Sequence, residues 1–393
     1  MMGLRETRAY VDLDAIDHNL RLFADRVSRS KLMPAVKADA YGHGIEAVGA
    51  AAERYGVEML AVACLEEYLI LRDRGVTVPV LILEDIFPEE IDIALRQGAR
   101  LSAGSLDYAR LLSESAVRLG TTAMIHVNID TGMGRMGLFS DNPVRDLVEI
   151  SGLPNSTVEG IYTHFPASDE RDKTFSREQI DRFQNIVREA SEQGIRPRFR
   201  HAANSGALID FPEESAFDLV RPGVSMYGMF PSDEVDQTVP LRPAMSVVSR
   251  IVKITRYDRD WTVGYGRTWK VGAGSVIGVV PIGYGDGYPR SLSNKGEVLV
   301  HGRRLPIAGR VSMDMITVDL TPIASRVDVG EEVVLMGSSG EETIDAMELA
   351  KLTGTITYEI TCGFTARIPR VYLRGNREIV AVKTQREGYQ TVD

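Results

Sequence analysis

From residue 31 to about residue 228, short apolar runs alternate with longer amphipathic ones. The apolar runs fall at 32–36, 59–64, 79–83, 100–103, 123–129, 158–164, 198–203 and 218–222. Short runs of this kind predict strands. The stretches between them read as helices and stop at glycine. "IEAVGAAAERYG" ends at Gly56, "LEEYLILRDRG" at Gly75, "PEEIDIALRQG" at Gly98 and "LDYARLLSESAVRLG" at Gly120. Glycine is the natural helix stop because it takes a left-handed conformation at little cost. Eight strands, each followed by helix or helix-like chain, predict parallel βαβ units and an α/β fold built on a (β/α)8 TIM-type barrel. A doubly wound open sheet is the alternative. It is weaker because no GxGxxG follows the first strand.

After about residue 240 the pattern changes. "SVVSRIVKITRY", "SVIGVVPIGYG", "GEVLVHGRRLPIAG", "DMITVDL" and "EEVVLMG" are β-type runs separated by Gly, Asn and Asp turns. One helix, at about 345–352, interrupts them. These residues predict a second, mostly antiparallel β domain. The polar, proline-bearing stretch 230–243 reads as the linker. The expected division is a barrel over 11–238 and a β domain over 239–393, with "TRAYVDL" in the first residues pairing into the β domain. A length of 393 residues suits two cores better than one.

Composition narrows the function classes. A net charge of −10 and a pI near 5.3 disfavour nucleic acid or an anionic membrane as the main partner. Cys64 and Cys362 stand alone and far apart, which argues against a disulfide framework or a cysteine metal site and suits a reducing cytosol. No metal site is expected. The N-terminus carries charges where a signal peptide has an apolar core. No apolar run approaches the roughly 20 residues that span a bilayer.

In an eight-stranded barrel, chemistry sits where the strands end. Lys37 ends the first predicted strand and Arg135 follows the fifth, in "NIDTGMGRMG". His164 ends the sixth, Asn204 and Ser205 follow the seventh, and Arg221 ends the eighth. Each has a bland reading: a snorkelling lysine, a core histidine, a structural ion pair, a helix cap at Ser205, turn glycines in "TGMGRMG". The set outweighs its members because independent accidents at one barrel face are improbable.

A desolvated lysine amine can form a Schiff base with an aldehyde cofactor, of which pyridoxal phosphate is the usual one. Its phosphate needs backbone amides and hydroxyls, which the loop Asn204–Ser205–Gly206 into a helix N-terminus and the turn at Gly223 and Val224 supply, and to which Tyr41 can add a hydroxyl. Arg221 cannot accept a proton, so it would leave the pyridine nitrogen unprotonated and favour clean proton transfer over a long-lived carbanion. A neutral His164 would bridge to Arg221.

The segment "AVKADAYGHG" closely resembles the cofactor-lysine motif of the bacterial alanine racemases, a pyridoxal-phosphate family whose barrel is shared by several amino-acid decarboxylases. "DTGMGRMG", "HAANSGA", "RPGVSMYG", "VGYGRTW", "IGYGDGYPR", "AGRVSMDM" and "YEITCGFTARIPR" follow in family order over nearly the whole chain. The resemblance implies that Lys37 holds the cofactor and is the base on the D-face. Tyr265 is then the base on the L-face. An unperturbed tyrosine titrates near pH 10, so that role calls for cationic neighbours or a hydrogen bond that carries the proton away. Arg135 would touch the cofactor's phenolic oxygen and the substrate carboxylate, and the Met313 N–H would help hold that carboxylate. Tyr41, Ser205, Gly223, Val224 and Tyr358 would hold the phosphate. Tyr284 would crowd the substrate side chain, and Asp169, Arg290 and Arg310 would line the entrance. In the family, Tyr265, Tyr284 and Met313 come from the other subunit, which implies a head-to-tail homodimer with two shared sites.

Asn128 departs from the family pattern, since many relatives have a lysine there whose carbamate pairs with the residue equivalent to Arg135. Either a neutral amide holds Arg135 here, or a bound anion such as chloride replaces the charge. The resemblance implies racemisation of alanine to supply D-alanine for peptidoglycan. The competing readings are a racemase of broader choice such as serine, a related decarboxylase, and a cofactor-binding protein without turnover. Tyr265 in "GYGRTW" and the lack of an acidic partner for the pyridine nitrogen count against a decarboxylase. The residues after 240 count against the single-barrel binding protein.

Overall fold

The computed structural model describes residues 5–375, 377–379, 381–382 and 390–391. After an initial strand β1 (Arg8–Asp12) come eight parallel strands: β2 (Lys31–Leu32), β3 (Leu60–Val62), β4 (Val80–Ile82), β5 (Arg100–Ala103), β6 (Ala123–Asn128), β7 (Ser156–Tyr162), β8 (Phe199–His201) and β9 (Leu219–Val220). They form one sheet in the order β2-β9-β8-β7-β6-β5-β4-β3. A parallel bridge from Ala35 to Ala61 joins its two ends and closes the barrel. Each strand overlaps one of the eight apolar runs, β2 only at Leu32, and the open-sheet alternative falls. The interior has an apolar floor of Met33, Met59, Ala61, Leu81, Phe199 and Leu219. Above it, register brings polar residues together: Ser102 lies opposite His126, and Tyr162 opposite His201. The surrounding helices end where the glycines stand. Gly56 and Gly120 are left-handed caps with φ of 96° and 65°.

The β domain holds an eight-stranded sheet with β10 (Met245–Arg250) in its interior. Strand β1 lies in this sheet, antiparallel to β10 and parallel to Arg370–Arg374. A three-stranded sheet of Lys253–Arg256, Val276–Val280 and Ile316–Asp319 and a two-stranded ribbon of Trp261–Val263 and Trp269–Val271 complete it. Asn19 pins the linker: its Nδ2 donates to Met226 O (3.0 Å) and Arg242 O (2.8 Å), and its Oδ1 accepts from Arg242 N (2.9 Å).

The expectation of a single helix near 345–352 needs correction. Ala346–Thr353 is helical and capped by Asp345, but a second helix, Thr357–Gly363, follows it. "TYEITC" is rich in β-branched residues and has no side-chain cap. Burial of Thr357, Ile360 and Thr361 makes it helical, so tertiary packing overrides propensity. Among the described residues no helix is long and apolar enough to cross a membrane.

Candidate active site

Lys37 leaves the first barrel strand and enters a left-handed turn. Ala38, Asp39, Ala40 and Tyr41 have φ of 52–54°, a conformation that costs L-residues roughly 1–2 kcal/mol each. Distant groups hold it. Glu67 accepts from Ala38 N at 2.6 Å and Ala63 N at 2.8 Å. Asp39 Oδ1 accepts from Ile45 N at 2.9 Å, and Arg370 Nε donates to Gly42 O at 3.0 Å. The turn folds the chain straight back, so that Tyr41 and Lys37 line one cavity. Gly42 is needed here: its φ is +81°, and a Cβ would lie 2.1 Å from Thr361 O.

That cavity, of about 480 Å³, lies at the C-terminal ends of the barrel strands. Lys37, Tyr41, Arg135, His164 and Arg221 line it together with Asn204, Ser205, Gly223, Val224 and Tyr358. Burial lowers the Lys37 pKa, and the charge of Arg135 lowers it further, against the smaller pull of Glu84 and Glu67. The amine is thereby moved toward its uncharged, nucleophilic form. Asn128 and Arg135 share the cavity wall. Among the described residues no carboxylate lies within 4.0 Å of Arg135.

Arg221 is buried at the head of a hydrogen-bonded relay inside the barrel. Its Nη1 donates to His201 Nδ1 at 2.8 Å, and its Nη2 to Thr163 O at 2.8 Å, Ala202 O at 3.0 Å and His164 Nδ1 at 3.2 Å. A guanidinium only donates, which settles the tautomers along the chain. His201 accepts on Nδ1, so its proton sits on Nε2, which donates to His126 Nδ1 at 2.9 Å. The His126 proton then sits on Nε2 and points to Glu159 Oε2 at 3.3 Å, which also accepts from Arg100 Nε at 3.2 Å. Burial, then the charge of Arg221, keeps His201 neutral. Burial also lowers the His126 pKa and outweighs the pull of Glu159. Burial would raise the Glu159 pKa, but the His126 hydrogen bond and the Arg100 charge leave it below its ordinary value. His164 falls to about 3, through burial first and then Arg221, Arg135 and Lys37. Arg221 itself is pushed by burial to about 10 and stays cationic at neutral pH.

The residues fit pyridoxal phosphate at both ends. At the phosphate end, Ser205 Oγ accepts from Gly223 N at 2.9 Å and Ser225 N at 3.2 Å. A Cβ at Gly223 would stand 2.7 Å from Tyr41 Oη, so only glycine leaves the hydroxyl its place. At the pyridine end, the Arg221 Nε–H has no acceptor among the described residues, although the other guanidinium nitrogens do. It can serve a ring nitrogen. Asn204, not Ser205, caps the helix Ser205–Asp210, because its Oδ1 accepts from Ala207 N at 3.2 Å. That leaves the Ser205 hydroxyl to the cradle, where it also meets Ser225 Oγ at 2.8 Å.

The remaining predicted residues lie elsewhere. Tyr265, Tyr284 and Met313 are on the β domain, outside the cavity, with 69%, 42% and 53% of their surface exposed. Tyr265 sits in the turn of the Trp261–Val263 ribbon, where Arg310 packs so close that a Cβ on Gly266 would be 3.2 Å from its guanidinium carbon. Arg290 is exposed at the start of a short 3-10 turn. Asp169 is half-buried, its carbonyl accepts from Ser232 Oγ at 2.5 Å, and it helps raise the Tyr358 pKa after burial and Tyr41. Sequence reasoning missed Tyr162, His201, His126, Glu159 and Glu67. Tyr162 had a signal, since it lies two residues before His164, where strand periodicity repeats a face.

Two family models match the chain: the N-terminal domain of alanine racemase over residues 11–231 and its C-terminal domain over 244–372. The chain belongs to the alanine racemase family. It is 43% identical to alanine racemase 2 of Caldanaerobacter subterraneus subsp. tengcongensis, over 94% of this chain and 95% of that protein. It is 41% identical to the alanine racemase of Carboxydothermus hydrogenoformans, over 94% and 100% respectively. The solved structure of Clostridium difficile 630 alanine racemase superposes with a TM-score of 0.91 at 33% identity, covering 97% of this chain and 99% of that one. A structure of that enzyme in complex with cycloserine gives 0.89 at 32% identity, covering 97% and 99%. Alanine racemases are isomerases, and the (β/α)8 barrel with its β domain is their architecture.

Proposed function

We propose that this enzyme interconverts L- and D-alanine by two-base proton transfer with pyridoxal phosphate bound in the barrel cavity, as a cytoplasmic homodimer that supplies D-alanine for peptidoglycan. Residues 11–238 form the cofactor barrel in this reading, and 239–393 the β domain. The observation that carries it is the separation of the two bases. Lys37 lies inside the cavity, whereas Tyr265 lies exposed on the β domain and outside it. A second copy of the chain can bring one face to the other.

When bound, pyridoxal phosphate supplies an electron sink that acidifies the substrate Cα. Lys37 would hold the cofactor at rest; once the substrate amine has displaced it, its freed amine, whose pKa burial lowers, would move the proton on the D-face. Tyr265 of the partner subunit moves the proton on the L-face. Arg221 would donate through Nε to the ring nitrogen without protonating it, because the guanidinium, at about 10, keeps its proton at neutral pH. Tyr41, Ser205, Gly223, Val224 and Tyr358 hold the phosphate. Arg135 and the partner's Met313 N–H orient the substrate carboxylate, and Tyr284 limits the side chain. Asp169, Arg290 and Arg310 line the way in.

The test is chiral analysis of L-alanine incubated with the cofactor-loaded enzyme in heavy water, with L-serine and L-lysine in parallel. D-alanine with deuterium at Cα, formed faster than the other D-products, is expected. Faster serine turnover would overturn the substrate, and decarboxylated products would overturn the reaction. Mixing Lys37→Ala chains with Tyr265→Phe chains tests the shared site: each mixed dimer keeps one intact site, so about a quarter of wild-type activity returns. No recovery would refute the sharing.

A further inference from the structure

Two β-domain loops, 283–288 and 312–315, carry Tyr284 and Met313 and touch along their backbones. Tyr284 N donates to Ser312 O at 3.0 Å, and Gly285 N to Met313 O at 2.8 Å. Ser312 N closes its own turn on Met315 O at 3.0 Å. No side chain fits between the loops. A Cβ at Gly283 would lie 2.2 Å from Ser312 O, and one at Gly285 would lie 2.4 Å from Arg367 Nη1 and 3.0 Å from Met313 O. The Met313 carbonyl is thus engaged, while its N–H donates to no acceptor among the described residues.

Arg367 spans both loops. Its Nε pairs with Asp286 Oδ1 at 3.2 Å, and its Nη2 donates to Asp314 Oδ1 at 2.7 Å. Asp286 is buried and has other partners: Arg5 Nη2 at 2.9 Å and Gly283 N at 3.0 Å. Its charge is balanced without Arg367. The Asp314 arm is at the surface, where an ion pair contributes little to stability. It does, however, tie the residue beside Met313 to the loop that carries Tyr284. The planar guanidinium fork reaches two carboxylates at once, as a lysine ammonium does not.

We propose that Arg367 is a positioning residue that bridges Asp286 and Asp314 and so holds the free Met313 N–H and Tyr284 in one register for a substrate carboxylate. This rests on the reading that the face carrying Tyr265, Tyr284 and Met313 completes the partner's site.

Asp314→Asn is the sharper variant, because it takes the charge out of one arm, where a hydrogen bond from a cation is strongest, and leaves buried Asp286 with both arginines. In the holoenzyme we expect KM for L-alanine to rise about fivefold with kcat within about twofold, as for a contact made equally in ground and transition states. The melting temperature should stay within about 2 °C. Arg367→Lys should give the same split. A merely structural role would lower kcat and melting temperature together, and that result would overturn the proposal. The direct readout is the Met313 amide in 15N-methionine-labelled holoenzyme titrated with acetate. It should shift saturably in the wild type and need several-fold more acetate in Asp314→Asn. Equal titration in both proteins would overturn the clamp and leave the site reading standing. No shift in the wild type would sink that reading, and the clamp with it.

Discussion

Replacing His201 by phenylalanine isolates the hydrogen bonds of the relay. The ring of Tyr162 stacks on His201 at 4.7 Å and 5°, and phenylalanine keeps that stack. What it deletes is the acceptor for Arg221 Nη1, at 2.8 Å, and the donor to His126 Nδ1, at 2.9 Å. A hydrogen bond from a charged donor is worth about 1.5–3 kcal/mol and a neutral one about 0.5–1.5 kcal/mol. His126 cannot recover by switching tautomer, because that would turn a bare nitrogen toward the Glu159 carboxylate. The more apolar ring returns about 1 kcal/mol of burial free energy. A net loss of about 1–3.5 kcal/mol follows. Urea unfolding at pH 8, followed by circular dichroism, measures it. The control is Tyr162→Phe, which loses its contacts to Ser102 Oγ (2.6 Å) and Leu83 O (3.3 Å) without touching the relay. Cofactor affinity should fall in His201→Phe and hold in the control, since only the former frees Arg221. A stability loss below about 0.5 kcal/mol with unchanged cofactor affinity would refute the relay.

Acid should weaken the fold early. His43, His126, His164 and His201 are all held below the ordinary histidine range by burial, to about 4 for His43 and about 3 for His164. The unfolded chain therefore binds more protons as pH falls through 6.5, and stability drops by up to about 1.4 kcal/mol per pH unit for each histidine. Urea midpoints should be steady above pH 7.5 and fall steeply between pH 6 and 5; a flat profile there would contradict the neutral assignments. Gly223→Ala puts a methyl group 2.7 Å from a Tyr41 hydroxyl that is packed between the rings of Tyr227 and Tyr358. Cofactor binding, followed by equilibrium dialysis, should weaken at least about tenfold with the cofactor-free fold intact. Unchanged affinity would remove Gly223 from the phosphate cradle.

The alternating apolar runs already specified eight strands, and the glycines already marked where helices stop, because both signals come from residues close together in the chain. Lys37, Arg135, His164 and Arg221 were legible for the same reason: each stands where a run ends, and a barrel sends all such ends to one face. The family motifs carried residues that no periodicity would flag, including Tyr265 and Met313.

Other features depend on partners far away in sequence. Four residues without glycine's freedom take a left-handed turn after Lys37 because Glu67 and Arg370 hold it. "TYEITC" becomes helical because its buried face packs, against its β-branched preference. His126, His201 and Glu159 stand on three strands, and only register lines them up behind Arg221. The exposure of Tyr265, Tyr284 and Met313 is likewise a property of the folded surface. Sequence by itself determined the elements and the chemical types at their ends, since backbone preference and hydrophobic period are local. Tertiary structure alone decided which of those groups meet, which proton each imidazole carries and which face is left open, because closure, register and burial join residues that the chain keeps apart.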